Sequence, residues 1–332
     1  MTIDWYRSES GPPREPIKPS ASRRIRNWLR RRLPDPDVRD RVIVLHARQA
    51  FPRRSAWAGL FSEFHSVLGA LAYAERRGAA GVRVDFRSPL YLDASRGPNW
   101  WTYYFEPDDM RIAGRTARGE IHLDRVAAKY GRHGGFCDEV NGVTPYLYPM
   151  TYGIDRTELH RLATAYLRVR DDIRAAAERW IAASFDPSGF VVGVHYRGTD
   201  STRGPLARVL DYRDFRVPYE SYAAEAEAVL ERRAPRAFQV AVATDEADFV
   251  HFMRRRFGSR VICVESSPRA KAGGPAIHLD ATLPVSNYEK GRSAVIDALL
   301  LSATHYLVKG RSNVSDASLV FNPRLPYSFC VH

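Results

Sequence analysis

Apolar residues fall along this chain in two rhythms, and each predicts a different element. Short continuous runs rich in β-branched residues suit strands covered on both faces. Such runs occupy residues 42–45, 82–86, 190–194, 238–243, 261–264 and 305–308. Between them, apolar positions recur at helical spacing. Phe61, Phe64, Val67, Leu68, Leu71 and Ala72 predict a helix over 61–77, with Gly78 placed to close it. Further helices are expected over 219–233, 247–257 and 294–303. Leu159, Leu162, Tyr166, Leu167, Ile173, Ala176 and Trp180 share one broad face, so 157–183 reads as a single long helix. This alternation predicts an α/β protein with a doubly wound parallel sheet.

The pattern divides the chain into a basic, Pro- and Arg-rich tail (1–40), an N-terminal α/β domain (41–183) and a C-terminal Rossmann-like domain (184–332). At 332 residues and 45% hydrophobic, the chain has enough apolar surface for two cores. Its formal net charge of +12 points to anionic partners: a nucleotide, a nucleic acid or a membrane face. An arginine-rich genome produces the same surface, so charge alone selects none of them. The tail segment 23–33 mixes Ile25, Trp28 and Leu29 with arginines. It suits either weak contact with an anionic membrane surface or a solvated basic arm. No RNA- or DNA-binding motif accompanies the dispersed arginines, which disfavours a specific nucleic-acid partner. Cys137, Cys263 and Cys330 are too scattered for a disulfide framework or a metal site, and Cys263 lies within an apolar run. No run approaches the ~18–20 apolar residues of a membrane span, and the N-terminus has no signal-peptide core. A cytoplasmic protein is expected, with the arm allowing peripheral contact at the inner membrane face.

Chemistry concentrates where the strands of the second half stop. Phe190-Val191-Val192-Gly193-Val194 runs into His195, Arg197 and Asp200. The next strand ends at Asp245-Glu246 and the last at Ser312-Asn313. A helix bearing Arg292 and Asp297 precedes that last strand. Ligands of open α/β sheets bind beyond the carboxyl ends of the strands, so these groups outline a crevice. Asp297 stands among Val295, Ile296, Leu299 and Leu300, and a carboxylate in such company needs a partner, Arg292 or a backbone amide. Gly59, before the first helix, would let backbone N–H groups approach an anion. The aromatic run 100–105 serves either as a sugar-stacking platform or as a plug under a loop. Asp35-Pro36-Asp37, an Asp-x-Asp triplet of the kind metal-dependent glycosyltransferases use, lies in the tail, and nothing marks Asp108-Asp109 as a metal site.

In order and spacing these elements resemble the α1,6-fucosyltransferase group, which includes rhizobial chitin-oligosaccharide and animal core enzymes within the O-fucosyltransferase superfamily. The strand Val191-Val192-Gly193-Val194-His195 with its His-x-Arg end carries the resemblance. So do the helix opening Val217-Pro218-Tyr219-Glu220-Ser221-Tyr222, the strand end Ala243-Thr244-Asp245-Glu246, the Arg292 to Asp297 element and Ser312-Asn313. The likeness covers about residues 157–325. It implies a bacterial glycosyltransferase of GT-B-like fold, two Rossmann-type α/β domains with the nucleotide site mainly on the C-terminal one. The N-terminal domain would then serve the acceptor. It also implies an inverting, metal-independent transfer of fucose from GDP-fucose to a hydroxyl of a glycan, peptide or small molecule. By position, His195 and Asp297 would contact guanine, Arg197 the β-phosphate, and Ser312 and Gly59 further phosphate oxygens. Arg292 and Asn313 would line the donor site, and Asp245 and Asp200 would shape the sugar and loop region. A different nucleotide sugar remains the alternative donor. The chain also departs from the group. Gly198 replaces a second arginine, Asn313 a second serine, and Pro205 a glutamate proposed as general base. The base is therefore open among Asp200, Asp211 and Asp214.

Overall fold

A computed structural model describes residues 37–47, 59–123, 156–199, 217–271, 274–310 and 312–330. The chain separates into two compact units, one ending at Arg170 and the other spanning Asp171–His332. Residues 1–36 of the basic tail, Cys137 and the candidate bases Asp200, Asp211 and Asp214 lie outside the described residues. Among the described residues, no helix is long and apolar enough to cross a membrane.

In the first unit the chain forms β1 (Val42–His46), α1 (Leu60–Arg77), β2 (Gly81–Asp85), β3 (Phe105–Glu106), β4 (Asp109–Arg111), β5 (Glu120–Leu123), α2 (Arg156–Tyr166) and β6 (Arg168–Val169). Its main sheet has the order β4-β2-β1-β5, parallel except at the β4 edge. Helix α1 is buried from Leu60 to Ala74, and Gly78 closes it in the left-handed conformation at φ 69°, where a Cβ would be strained. The aromatic run is a plug. Trp100, Trp101, Tyr104 and Phe105 are fully buried, and the two indole N–H groups donate to Ser88 Oγ and the Pro107 carbonyl. A sugar platform would need exposed ring faces, which these residues lack.

The helix expected over 157–183 is two helices. After α2 the chain extends, and β6 pairs antiparallel with β3, while Arg168 bridges Glu106 at 2.8 Å. Asp171 and Asp172 then open α3 (Asp171–Ser184), where acidic side chains suit the positive end of a new helix dipole. The apolar face runs on across the break, which is why periodicity alone hides it.

The second unit contains α3, β7 (Phe190–Tyr196), α4 (Tyr219–Arg233), β8 (Phe238–Thr244), α5 (Ala247–Phe257), β9 (Val261–Ile262), α6 (Asn287–Ser302), β10 (Tyr306–Lys309), α7 (Asn313–Phe321) and β11 (Tyr327–Phe329). Its five strands are all parallel, in the order β11-β10-β7-β8-β9. From β7 the chain moves outward through β8 to β9, then crosses back to place β10 on the other side of β7. That order is the Rossmann order, and its topological switch point lies between β7 and β10. Helix α6 begins at Asn287, earlier than its apolar pattern suggests, because Ser286 caps it by accepting from Glu289 N–H at 3.1 Å. Val192, Val194 and Tyr196 enter a core with Tyr222, Val240, Val242 and Phe249. Strand alternation therefore turns His195 to the opposite sheet face, the one α6 covers.

Candidate functional site

The second unit gathers polar groups at the carboxyl edge of its sheet, around the switch point. His195 closes β7, one residue before the strand's end, and pairs in register with Lys309 of β10. The imidazole is buried, and its Nδ1 has no hydrogen-bond partner among the described residues. Burial first, then the charges of Lys309 and Arg197, hold its pKa down at about 3, so the ring is neutral at physiological pH. Lys309 is itself fully buried and bridges Asp316 of α7 at 2.6 Å. The pair ties the end of β10 to the first turn of α7. Ser312 caps that helix by accepting from Val314 N–H at 3.3 Å, and Asn313 is its first residue.

On the other side of β7, the end of β8 holds the chain that follows Arg197. Asp245 accepts from Gly198 N–H at 2.9 Å, from Thr199 N–H at 3.4 Å and from the Thr199 hydroxyl at 2.5 Å. Glu246 is buried, accepts from the Tyr219 hydroxyl at 2.6 Å and lies directly over Gly198. A Cβ at residue 198 would overlap that carboxyl group unless the Glu246 side chain shifted.

Asp297 comes from α6. The structure gives it neither of the expected partners: Ser267 Oγ donates to it at 3.4 Å, while Arg292 pairs with Glu289 at 3.3 Å. Burial pushes the Asp297 carboxyl up to about 7, Arg269 and Ser267 pull it back in part, and the like charge of Asp245 adds to the rise. Arg292 faces a small pocket with Ser266, Ser267, Glu289 and Ser293. Ser267, Arg269 and Lys309 are members of this network that sequence reasoning missed, whereas Glu246 was among the strand-end groups it named.

Gly59 belongs to the first unit, where it precedes α1 with an ordinary φ of −71°. The Leu60 N–H beside it already donates to the Tyr91 hydroxyl at 3.0 Å, so the helix start has one donor fewer for an anion.

No family model matches the chain, and no curated protein matches it. Solved structures match over most of its length. The fucosyltransferase NodZ from Bradyrhizobium aligns at 18% identity and a TM-score of 0.47, over 85% of this chain and 94% of that one. The NodZ alpha-1,6-fucosyltransferase co-crystallised with GDP gives 18% identity and a TM-score of 0.47, over 85% and 93%. POFUT1 in complex with GDP aligns at 10% identity and a TM-score of 0.46, over 90% and 99%.

Proposed function

We propose that this chain is a glycosyltransferase that moves fucose from GDP-fucose to a hydroxyl acceptor, with inversion and without a metal ion. The observation that carries this reading is the neutral, buried His195 at the switch point, with its Nδ1 unpartnered. A buried polar nitrogen without a partner is costly, and the polar edge of a bound base would supply one. Asp297, as a carboxylate, accepts from the two N–H donors on the Watson–Crick edge of guanine. Arg197 supplies a guanidinium to the diphosphate, and the start of α7 at Ser312 and Asn313 offers backbone N–H groups to the same anion. Arg292 flanks the nucleotide from the pocket edge.

In the transfer the acceptor oxygen attacks the anomeric carbon as its bond to the β-phosphate oxygen breaks. The electron pair leaves with GDP, and charge grows on the diphosphate that Arg197 faces. The acceptor proton passes to a carboxylate among Asp200, Asp211 and Asp214, with Asp200 the first candidate.

Thermal unfolding with GDP, UDP, dTDP and their sugars tests the reading. GDP and GDP-fucose are expected to stabilise most, by about 2.7 kcal/mol at a hundred times Kd. Stabilisation by UDP or dTDP alone would replace the donor. Steeply salt-dependent binding of random oligonucleotides with no response to GDP would overturn the enzyme reading.

A further inference from the structure

We propose that Asp245 is a positioning residue that acts through Arg197: it fixes the turn after β7 and so aims the guanidinium, rather than holding the donor itself. The inference rests on the donor reading above for what Arg197 does, and on geometry alone for how Asp245 does it.

Arg197 stands between two anchored neighbours. Before it, the Tyr196 ring stacks on Phe249 at 4.6 Å and meets Tyr219 and Tyr222 edge-on at 4.9 and 5.2 Å. After it, the Gly198 and Thr199 amides and the Thr199 hydroxyl all donate to Asp245, engaging both carboxylate oxygens. Glu246, held by the Tyr219 hydroxyl, closes the space above Gly198. Two of the three donors are backbone N–H groups, one on each carboxylate oxygen, and both need an acceptor. Asparagine keeps one carbonyl oxygen and turns its N–H₂ toward the other amide; the Thr199 hydroxyl can rotate to accept from it, but one backbone N–H loses its acceptor. A leaving group that gains charge only as its bond breaks is sensitive to where the guanidinium points, whereas ground-state binding of the nucleotide is less so.

The test uses the full chain, with GDP-fucose as donor and water as acceptor, and reads GDP release. Asp245→Asn is expected to lower kcat by about tenfold to a hundredfold while the KM for GDP-fucose moves by less than about threefold. In the Arg197→Ala background the same change is expected to add nothing, because the group it aims is gone. Amide hydrogen exchange without nucleotide should rise at Gly198 and Thr199 in Asp245→Asn. Thr199→Val, which keeps both amide bonds, should move kcat in the same direction by less and guards against misfolding of the first variant. Unchanged exchange at the two amides, or an Asp245→Asn loss that multiplies in full with that of Arg197→Ala, overturns the positioning role. A wild-type chain that neither releases GDP nor is stabilised by it removes the donor reading instead, and the two failures are thus told apart.

Discussion

His195 and Lys309 stand opposite one another in the register of adjacent parallel strands, and both are buried at the sheet's carboxyl edge. The ammonium is neutralised by Asp316, yet its charge still adds to burial in keeping the imidazole unprotonated. A neutral ring in this place can accept at one nitrogen and donate at the other, as recognition of a base edge requires.

That neutrality has a signature in stability. The folded value for His195, about 3, lies below the ordinary 6.5, so the stability it confers is full above pH 6.5 and is lost as pH falls toward 3. Between pH 7 and 4.5 the wild type is expected to lose about 2 kcal/mol more than His195→Asn. Urea unfolding at the two pH values measures the difference, and parallel losses would refute it.

Asp297 has the opposite sign. Its folded value of about 7 exceeds the ordinary 3.8, so its contribution is full below 3.8 and disappears as pH rises through 7. Asp297→Asn is therefore expected to be more stable than wild type at pH 8, by on the order of 2 kcal/mol, and to lose that advantage by pH 4. If Asp297 holds guanine as proposed, it does so as the carboxylate, so GDP affinity of the wild type should strengthen as pH rises through 7 and should be weak and flat in the variant. Calorimetric titration across that range decides.

The Lys309–Asp316 pair predicts a non-additive pair of mutations. Lys309→Met leaves Asp316 buried without its partner and should cost about 3–5 kcal/mol. The double change Lys309→Met with Asp316→Leu removes both charges and should cost less than either alone. Equal or summed losses in denaturant unfolding would mean the pair is not coupled.

Arg197→Ala is expected to lower GDP release from GDP-fucose by roughly a hundredfold or more, equivalent to about 3 kcal/mol of transition-state stabilisation. Circular dichroism and melting temperature should stay close to wild type, since the side chain is only part-buried at a strand end. Turnover near the wild-type rate would remove Arg197 from the mechanism.

In the proposed transfer a guanidinium and helix N–H groups take the place of a metal ion at the departing diphosphate, so exhaustive EDTA treatment is expected to leave GDP release unchanged. Strict dependence on Mg²⁺ or Mn²⁺ would refute a metal-independent transfer.

Strands β4, β5 and β11 are too short or too mixed to read as apolar runs, whereas β1, β2, β7 to β10 and the helices Tyr219–Arg233 and Ala247–Phe257 were legible because local pattern and tertiary burial agree there. The break at Arg168–Val169 was not, since it depends on pairing with Phe105–Glu106, more than sixty residues away. The early start of α6 was readable in Ser286-x-x-Glu289, a capping box that precedes the apolar stripe. At the crevice, His195 and Asp297 announced themselves as polar groups among apolar neighbours. Their partners did not: Ser267 and Arg269 lie in a loop with no periodicity, and a lysine at a strand end reads as solvated until Asp316 is seen beneath it.

Glu246 over Gly198 also constrains how this crevice can be altered. A side chain at residue 198 requires that carboxyl group to move, and moving it breaks the bond it accepts from the Tyr219 hydroxyl. A second arginine at residue 198 is therefore coupled to Glu246 and Tyr219: the turn can take the larger residue only as it gives up the contact that now closes it.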